Sequence, residues 1–134
     1  MVTKLVKDYM TIKNNLISFK PDSDIHQVIK ILIKHSISGA PVINNKGDLV
    51  GIISEKDCLG VLLEITMHEL PGGQVEKYMS TEVISIDQNR SIIEAVEMFQ
   101  NSNFRRFPVV DGKQLVGLLS RRDVLRAIEE FGRV

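Results

Sequence analysis

The sequence has a single cysteine, Cys58, among its 134 residues, so no internal disulfide can form. This composition suits a reducing compartment, and we expect the protein to be cytoplasmic. No stretch approaches the ~20 apolar residues of a membrane-spanning helix. Residues 1–13 mix charged and apolar side chains, so we expect neither a signal peptide nor an association with a membrane.

The sequence also lacks a net charge, because 17 acidic side chains balance 17 basic ones. A neutral chain offers no general attraction to nucleic acid, and we expect no nucleic-acid partner. All seven arginines nevertheless follow Gly73. Since arginine binds phosphate in a bidentate manner, any anion site should draw on the second half of the chain. Drift in lysine and arginine usage between the halves explains the same distribution equally well.

Signatures of catalysis are absent as well. The sequence contains no P-loop, HExxH, GxSxG or dinucleotide-binding glycine fingerprint. Its histidines have no metal-binding spacing, because His26 and His35 are nine positions apart and therefore lie on different faces of a helix. We therefore expect a protein that is not an enzyme, with no catalytic residue, no metal and no required cofactor.

What the sequence does contain is an internal repeat, in which four blocks occur twice in the same order. The paired blocks are 6–11 with 75–80, 16–19 with 83–86, 38–43 with 105–110, and 49–57 with 115–123. Chance does not explain this order. The sequence predicts a single module, 1–134, that consists of motif 1 (4–60), a linker (61–74) and motif 2 (75–131).

Each repeat begins with the pattern of a strand followed by a helix. The apolar runs 16–19 and 83–86 suit strands, and apolar residues at helical spacing follow each run. Asp24 and Ser91 stand where these helices should start, with a glutamine or glutamate three residues later in capping-box spacing.

A hairpin and a second helix complete each repeat. Pro41 and Pro108 suit the first positions of strands, and the hairpin is followed by Ser54 or Ser120 at the start of the last helix. Each three-stranded sheet would carry both helices on one face and leave the other face uncovered. We therefore predict an α+β fold (α/β-type) of two βαββα motifs, packed through their sheets with pseudo-twofold symmetry.

The blocks around Pro41 and Ser54, together with their second copies, closely resemble the CBS (cystathionine-β-synthase) motif. The resemblance covers about residues 4–60 and 75–131. Many such pairs, called Bateman modules, bind AMP, ADP, ATP, S-adenosylmethionine or related adenosyl compounds in clefts between the motifs, and many regulate other proteins. The resemblance implies a sensor that takes an adenosyl ligand as effector and signals to a partner protein. The alternative is a scaffold whose clefts are vestigial.

Both repeats carry a Ser-x-x-Asp pattern, Ser54 with Asp57 and Ser120 with Asp123. The simplest interpretation is a capping box, which satisfies the first amides of a helix. A helix start also attracts phosphate, and a carboxylate suits the two hydroxyls of a ribose. The resemblance implies that the two aspartates hold the ribose of a ligand in two clefts.

The first strands should supply the adenine contacts, through Ile17 with Ser18 and Ile84 with Ser85. Backbone groups there would bind the adenine edge while apolar side chains cover its faces. Core packing is the simpler explanation for the isoleucines.

The residues before the two prolines make the predicted clefts unequal. The resemblance implies that each cleft combines the aspartate of one repeat with these residues of the other. The Asp57 cleft would receive Arg106 with Arg105, Phe107 and Pro108, and also Arg122; the Asp123 cleft would receive Ser38, Gly39, Ala40 and Pro41. We expect tighter binding of a phosphorylated ligand at Asp57. The alternative is a solvated arginine turn with a surface salt bridge worth ~0–1 kcal/mol.

The last helix of each repeat has more apolar residues than one buried face needs. This excess predicts a homodimer that forms through these helices. The residues concerned are Leu59, Val61, Leu62, Leu63 and Ile65 in the first repeat, and Val124, Leu125, Ala127, Ile128 and Phe131 in the second.

Overall fold

The computed structural model describes residues 4–68 and 72–131, and the side chains of 65–68 lie outside the description. The chain divides into two compact units. The first unit is Ile17–Val83, and the second unit combines Met1–Leu16 with Ile84–Val134.

The four helices and the two hairpins follow the predicted order, whereas the strand β1 (Thr11–Ile12) was not predicted. The elements after β1 are α1 (Ile25–His35), β2 (Gly39–Ile43), β3 (Leu49–Ser54), α2 (Glu55–His68), β4 (Ile86–Asp87), α3 (Ile92–Gln100), β5 (Arg106–Asp111), β6 (Gln114–Ser120) and α4 (Arg121–Phe131).

Each unit is built around an antiparallel hairpin. In the second unit the strands lie in the order β1-β6-β5-β4, with β4 parallel to β5 and the other pairs antiparallel. In the first unit β2 pairs with β3, and single bridges extend the pair at Phe19 on one side and Ser80 on the other. Both units therefore have the parallel crossover and hairpin of a βαββα motif, and the predicted α+β fold is confirmed.

The first strand of each repeat is shorter than predicted. The runs 16–19 and 83–86 were expected to be strands, but ladder pairing is confined to Phe19 and to β4. Phe19 pairs with Val42, and Ile86 pairs with Val109. The residue before each of these partners is a proline, which has no N–H to donate to a ladder. Pairing therefore ends before Ser18 and Ser85, and the prediction that these serines lie on strands is wrong.

Local capping forms as predicted at both crossover helices. The Asp24 carboxylate accepts a hydrogen bond from the Gln27 N–H at 3.1 Å, and the Ser91 hydroxyl accepts one from the Glu94 N–H at 3.2 Å. Each bond satisfies an amide that has no partner within its helix, which fixes where the helix begins.

The two units have separate hydrophobic cores, in which the buried faces of helices pack on the hairpins. The core of the first unit includes Phe19, Ile25, Val28, Leu32, Ala40, Val42, Ile53, Val61 and Val75. The core of the second unit includes Val6, Ile86, Ile92, Ala95, Phe99, Phe107, Val109, Leu119, Val124 and Ala127.

The block that opens each repeat belongs to the core of the other repeat's unit. Val6 is fully buried in the second unit, and Val75 is fully buried in the first. The compact units therefore group the residues differently from the predicted motifs 4–60 and 75–131, whose boundaries stay a prediction drawn from the repeat. The predicted linker 61–74 begins inside α2, and residues 69–71 lie outside the described part.

Among the described residues, no helix is long and apolar enough to cross a membrane.

Candidate functional site

The Ser54–Asp57 turn joins β3 to α2 in the first unit. The Asp57 Oδ2 atom accepts hydrogen bonds from the Ser54 N–H and from the Ser54 hydroxyl, both at 2.9 Å. In return the Ser54 Oγ accepts a bond from the Asp57 N–H at 3.2 Å. The turn is the predicted capping box, and it leaves the Asp57 Oδ1 atom without a partner among the described residues.

The Ser120–Asp123 turn repeats this geometry between β6 and α4 in the second unit. The Asp123 Oδ2 accepts from the Ser120 N–H at 2.8 Å, and the Ser120 Oγ accepts from the Asp123 N–H at 3.1 Å. Here the other carboxylate oxygen is also occupied, because Arg126 Nη2 lies 2.6 Å from Asp123 Oδ1.

The first amides of both helices already have acceptors. The Glu55 N–H donates to the Ser38 carbonyl at 2.8 Å, and the Arg121 N–H donates to the Arg105 carbonyl at 3.0 Å. Together with the serine caps, these bonds satisfy two of the first three amides of each helix. The helix starts therefore offer less to a phosphate than their sequence indicates.

Arg106 is the arginine whose environment best suits an anionic ligand. It opens β5 opposite Ser120, and its guanidinium Nε is buried without a hydrogen-bond partner among the described residues. A buried guanidinium nitrogen that lacks an acceptor is costly, so a bound anion would relieve that cost. Arg105 and Arg122 have exposed side chains.

Three of the predicted residues meet at a surface cavity of about 600 Å³ within the second unit. Ile84, Ser85 and Phe107 line it, and its remaining wall includes Arg90 and Glu94, which form an ion pair at 2.7 Å. Ile84 is 53% exposed, so core packing does not explain this isoleucine. Phe107 is 1% exposed, and its ring packs on Phe99 with the centroids 4.6 Å apart.

The remaining predicted residues lie in the core or at the edge of their own units. Ile17 packs against the core of the first unit, as the simpler explanation predicted, while Ser18 is half-buried. Gly39 pairs with Ser54, and a Cβ at Gly39 would lie 2.9 Å from the Ile53 carbonyl oxygen. Ala40, Pro41 and Pro108 are buried in their strands. The clefts that would combine residues of the two repeats stay a prediction.

The only cysteine follows Asp57 directly. Burial raises the pKa of the Cys58 thiol, and the Asp57 and Glu55 carboxylates raise it further. A raised pKa keeps the thiol protonated and poorly nucleophilic near neutral pH. Among the described residues, no group of three or more histidine, cysteine, aspartate or glutamate side chains could hold a metal ion.

The partner of Asp123 is the residue that reasoning from the sequence missed. The signal was present, because Arg126 follows Asp123 by three positions on a helix, which places the two side chains on one face. The equivalent position in the first repeat, three residues after Asp57, is Gly60.

Comparison with known proteins identifies the family. The model of the CBS domain matches residues 6–64 and 75–130, so this chain belongs to the CBS domain family and carries two copies of the domain. Protein MJ1426 of Methanocaldococcus jannaschii is 30% identical, over 92% of this chain and 90% of the relative. Other curated relatives are longer: the chain spans 40% of MJ1225 and 23% of inosine-5'-monophosphate dehydrogenase from the same organism.

Solved structures of paired CBS domains share the fold. CBSX2 of Arabidopsis thaliana, in complex with AMP, is 29% identical with a TM-score of 0.83, and the match covers 96% of this chain and 98% of that one. The CBS domain pair of protein MJ0100, in complex with 5-methylthioadenosine and S-adenosyl-L-methionine, is 27% identical with a TM-score of 0.74, over 97% and 99% of the two chains.

Proposed function

We propose that this protein is a non-catalytic sensor, which binds an adenosine-containing ligand and passes the bound state to a partner protein. The observation that carries the proposal is the Asp57 carboxylate. Ser54 fixes one of its oxygens through two hydrogen bonds, and the other oxygen has no partner among the described residues. A carboxylate held in this way is preorganised to accept the hydroxyls of a ribose.

The ligands of related proteins support this choice of ligand class. AMP in CBSX2 and the two adenosyl compounds in MJ0100 share an adenine and a ribose, but differ in the group at the ribose 5' position. The common part is the one that Asp57 would bind. In our proposal the nucleoside provides most of the recognition, and the 5' group decides which adenosyl compound binds best.

A phosphate at the 5' position has a natural partner in Arg106. The Nε of this residue is buried and unpaired among the described residues, and arginine binds phosphate better than lysine does. We propose that Arg106 joins Asp57 in one cleft between the motifs, with Ile84 and Ser85 near the adenine. The Asp123 cleft would have only Ser38 to Pro41 from the first repeat and would bind phosphorylated ligands more weakly.

We propose that the protein forms a homodimer, and that this dimer passes the ligand-bound state to a partner protein. On α2 and α4 the repeat places exposed apolar residues at matching positions: Leu59 is 67% exposed and Leu125 is 63% exposed. Such a face suits a second copy of the chain. A ligand would change the signal only if it binds one arrangement of the protein more tightly than another. We keep the cytoplasm as the proposed location, because the lone cysteine suits a reducing compartment.

A thermal-shift panel tests the proposal. The panel contains AMP, ADP, ATP, S-adenosylmethionine, methylthioadenosine and NAD, with inosine monophosphate as a control that differs in its base. A ligand that binds only the folded state raises the melting temperature by mass action. We expect at least one adenosyl compound to raise it, and Asp57→Ala to reduce the rise. No shift with any of these compounds would refute the sensor and favour a scaffold.

A further inference from the structure

The two Ser-x-x-Asp turns differ at the residue three places after the aspartate. In the second unit this residue is Arg126, whose Nη2 donates a hydrogen bond to Asp123 Oδ1 at 2.6 Å. In the first unit it is Gly60, which has no side chain. One aspartate is therefore ion-paired on its own helix, while among the described residues the other meets no cation.

The Asp123 carboxylate is enclosed as well as paired. The Asp123 side chain is 11% exposed, and Ser120 and Arg126 together occupy both of its carboxylate oxygens. Arg126 Nη2 also donates to the Tyr9 carbonyl at 3.2 Å, so the guanidinium is held at two points. To bind Asp123, a ribose would have to replace a charge-assisted hydrogen bond with one from a neutral hydroxyl, which is the weaker bond.

The Asp57 carboxylate differs in both respects. Its residue is half-buried, and its Oδ1 has no partner among the described residues. Packing within the described part of the chain does not force the glycine at position 60, because a Cβ added there would meet none of its atoms within 4 Å. The position has room for a Cβ, and with a glycine there no side chain from position 60 covers Asp57.

We propose that Arg126 is a specificity-determining residue, which withholds Asp123 from ribose and limits each chain to one adenosine-type ligand, bound at Asp57. This inference rests on the proposed function and deepens it. According to this inference, Asp57 and Asp123 differ in their affinity for a ribose. This difference is independent of the phosphate contacts of Arg106.

Calorimetric titration of the intact chain with AMP tests the inference through the number of sites. We expect one AMP per chain for the unaltered protein, and two for Arg126→Gly and for Arg126→Ala. Adding Asp123→Ala to either variant should remove the second site. The alanine variant keeps a good helix former in α4, so the result does not depend on a glycine there.

The reciprocal exchange tests the same idea at the first turn. Gly60→Arg should pair with Asp57 and weaken AMP binding at least tenfold, while Gly60→Ala, the matched control, should bind as the unaltered protein does. A merely structural role of Arg126 would not change the number of sites. We also expect 2'-deoxy-AMP to bind the added site more weakly than AMP, because it lacks a ribose hydroxyl. A merely structural role of Arg126 would not produce this difference.

Two results would overturn the inference: two equivalent AMP sites in the unaltered protein, or a single site in both Arg126 variants when their melting curves show that they fold. Failure of the proposed function has a different signature. In that case the unaltered protein gives no binding heat with AMP, ATP or S-adenosylmethionine, or Asp57→Ala binds them unchanged.

Discussion

Met10 packs directly against Gly117. A Cβ added to this glycine would lie 2.5 Å from the Met10 Sδ atom. Met79 and Gly51 have the same relationship in the first unit, also at 2.5 Å. The methionine in the opening block of each repeat thus contacts the mid-strand glycine in the hairpin of the other repeat. This contact explains why both hairpins carry a glycine where a β-branched residue would otherwise suit the strand.

Substitution of these glycines should destabilise the protein to different degrees. A Cβ at Gly117 would also lie 2.6 Å from the Thr11 carbonyl oxygen, whereas at Gly51 the nearest backbone oxygen, that of Ser80, is 3.0 Å away. A methionine can move more easily than a backbone carbonyl. We expect Gly117→Ala to lower the free energy of unfolding by about 1–3 kcal/mol and Gly51→Ala by less, measured by urea denaturation.

Gly60→Ala is the matched control for that measurement. This glycine lies in α2, and a Cβ there would meet no atom of the described residues within 4 Å, so alanine should stabilise the protein slightly through helix propensity. Equal losses for all three variants would show that the methionine contacts are not the cause.

A second prediction concerns the pH dependence of Tyr78. Its hydroxyl donates a hydrogen bond to the Glu64 carboxylate at 2.7 Å, and this bond raises the pKa of the Tyr78 phenol in the folded protein. The bond therefore stabilises the fold fully below the unfolded pKa of about 10, and its contribution is lost as the pH rises through the folded value. Solvent competes for the bond, so Tyr78→Phe should cost less than about 1 kcal/mol.

Ultraviolet titration measures this shift directly, because the chain has two tyrosines and no tryptophan. Tyr78→Phe should remove the tyrosine step that titrates above the ordinary value. If that late step persists in the variant, the assignment to Tyr78 is wrong.

The third prediction separates recognition of phosphate from recognition of the nucleoside. Arg106→Ala should weaken AMP binding about tenfold, since it removes a charge-assisted hydrogen bond, but should leave adenosine binding nearly unchanged. Asp57→Ala should weaken both ligands, because both carry the ribose. Arg105→Ala serves as the neighbouring control, and its exposed side chain predicts a smaller effect. Calorimetry that finds AMP binding unaltered by Arg106→Ala and by Asp57→Ala would contradict the proposed site.

The fourth prediction concerns the homodimer. Light scattering at micromolar concentration should give about twice the chain mass of 15.1 kDa. Leu59→Lys and Leu125→Lys, at matching positions of α2 and α4, should shift the protein toward the monomer. Ile33→Lys on α1 is the control, because this residue is 74% exposed but lies outside the predicted face. A monomer in the unaltered protein would count against the dimer.

Much of the fold was predictable because its signals are local. Turn residues, helical spacing and the caps at Asp24 and Ser91 depend on residues only a few positions apart, and the structure forms them as expected. The repeat supplied the order of the elements twice. The extent of the first strands was less predictable, since pairing depends on the neighbouring strand. In that strand Pro41 and Pro108 have no N–H to donate to the ladder.

For the candidate site, the sequence by itself determined the two Ser-x-x-Asp turns and the arginines of the second repeat. The tertiary structure decided what those groups contact. The opening blocks pack on the other repeat's hairpin, which is a long-range contact that no local pattern specifies. That packing brings the Tyr9 carbonyl within 3.2 Å of Arg126, which at the same time pairs with Asp123. The two aspartates differ because Arg126 follows one of them and Gly60 the other, and the tertiary structure adds the Tyr9 contact that helps to hold Arg126 beside Asp123.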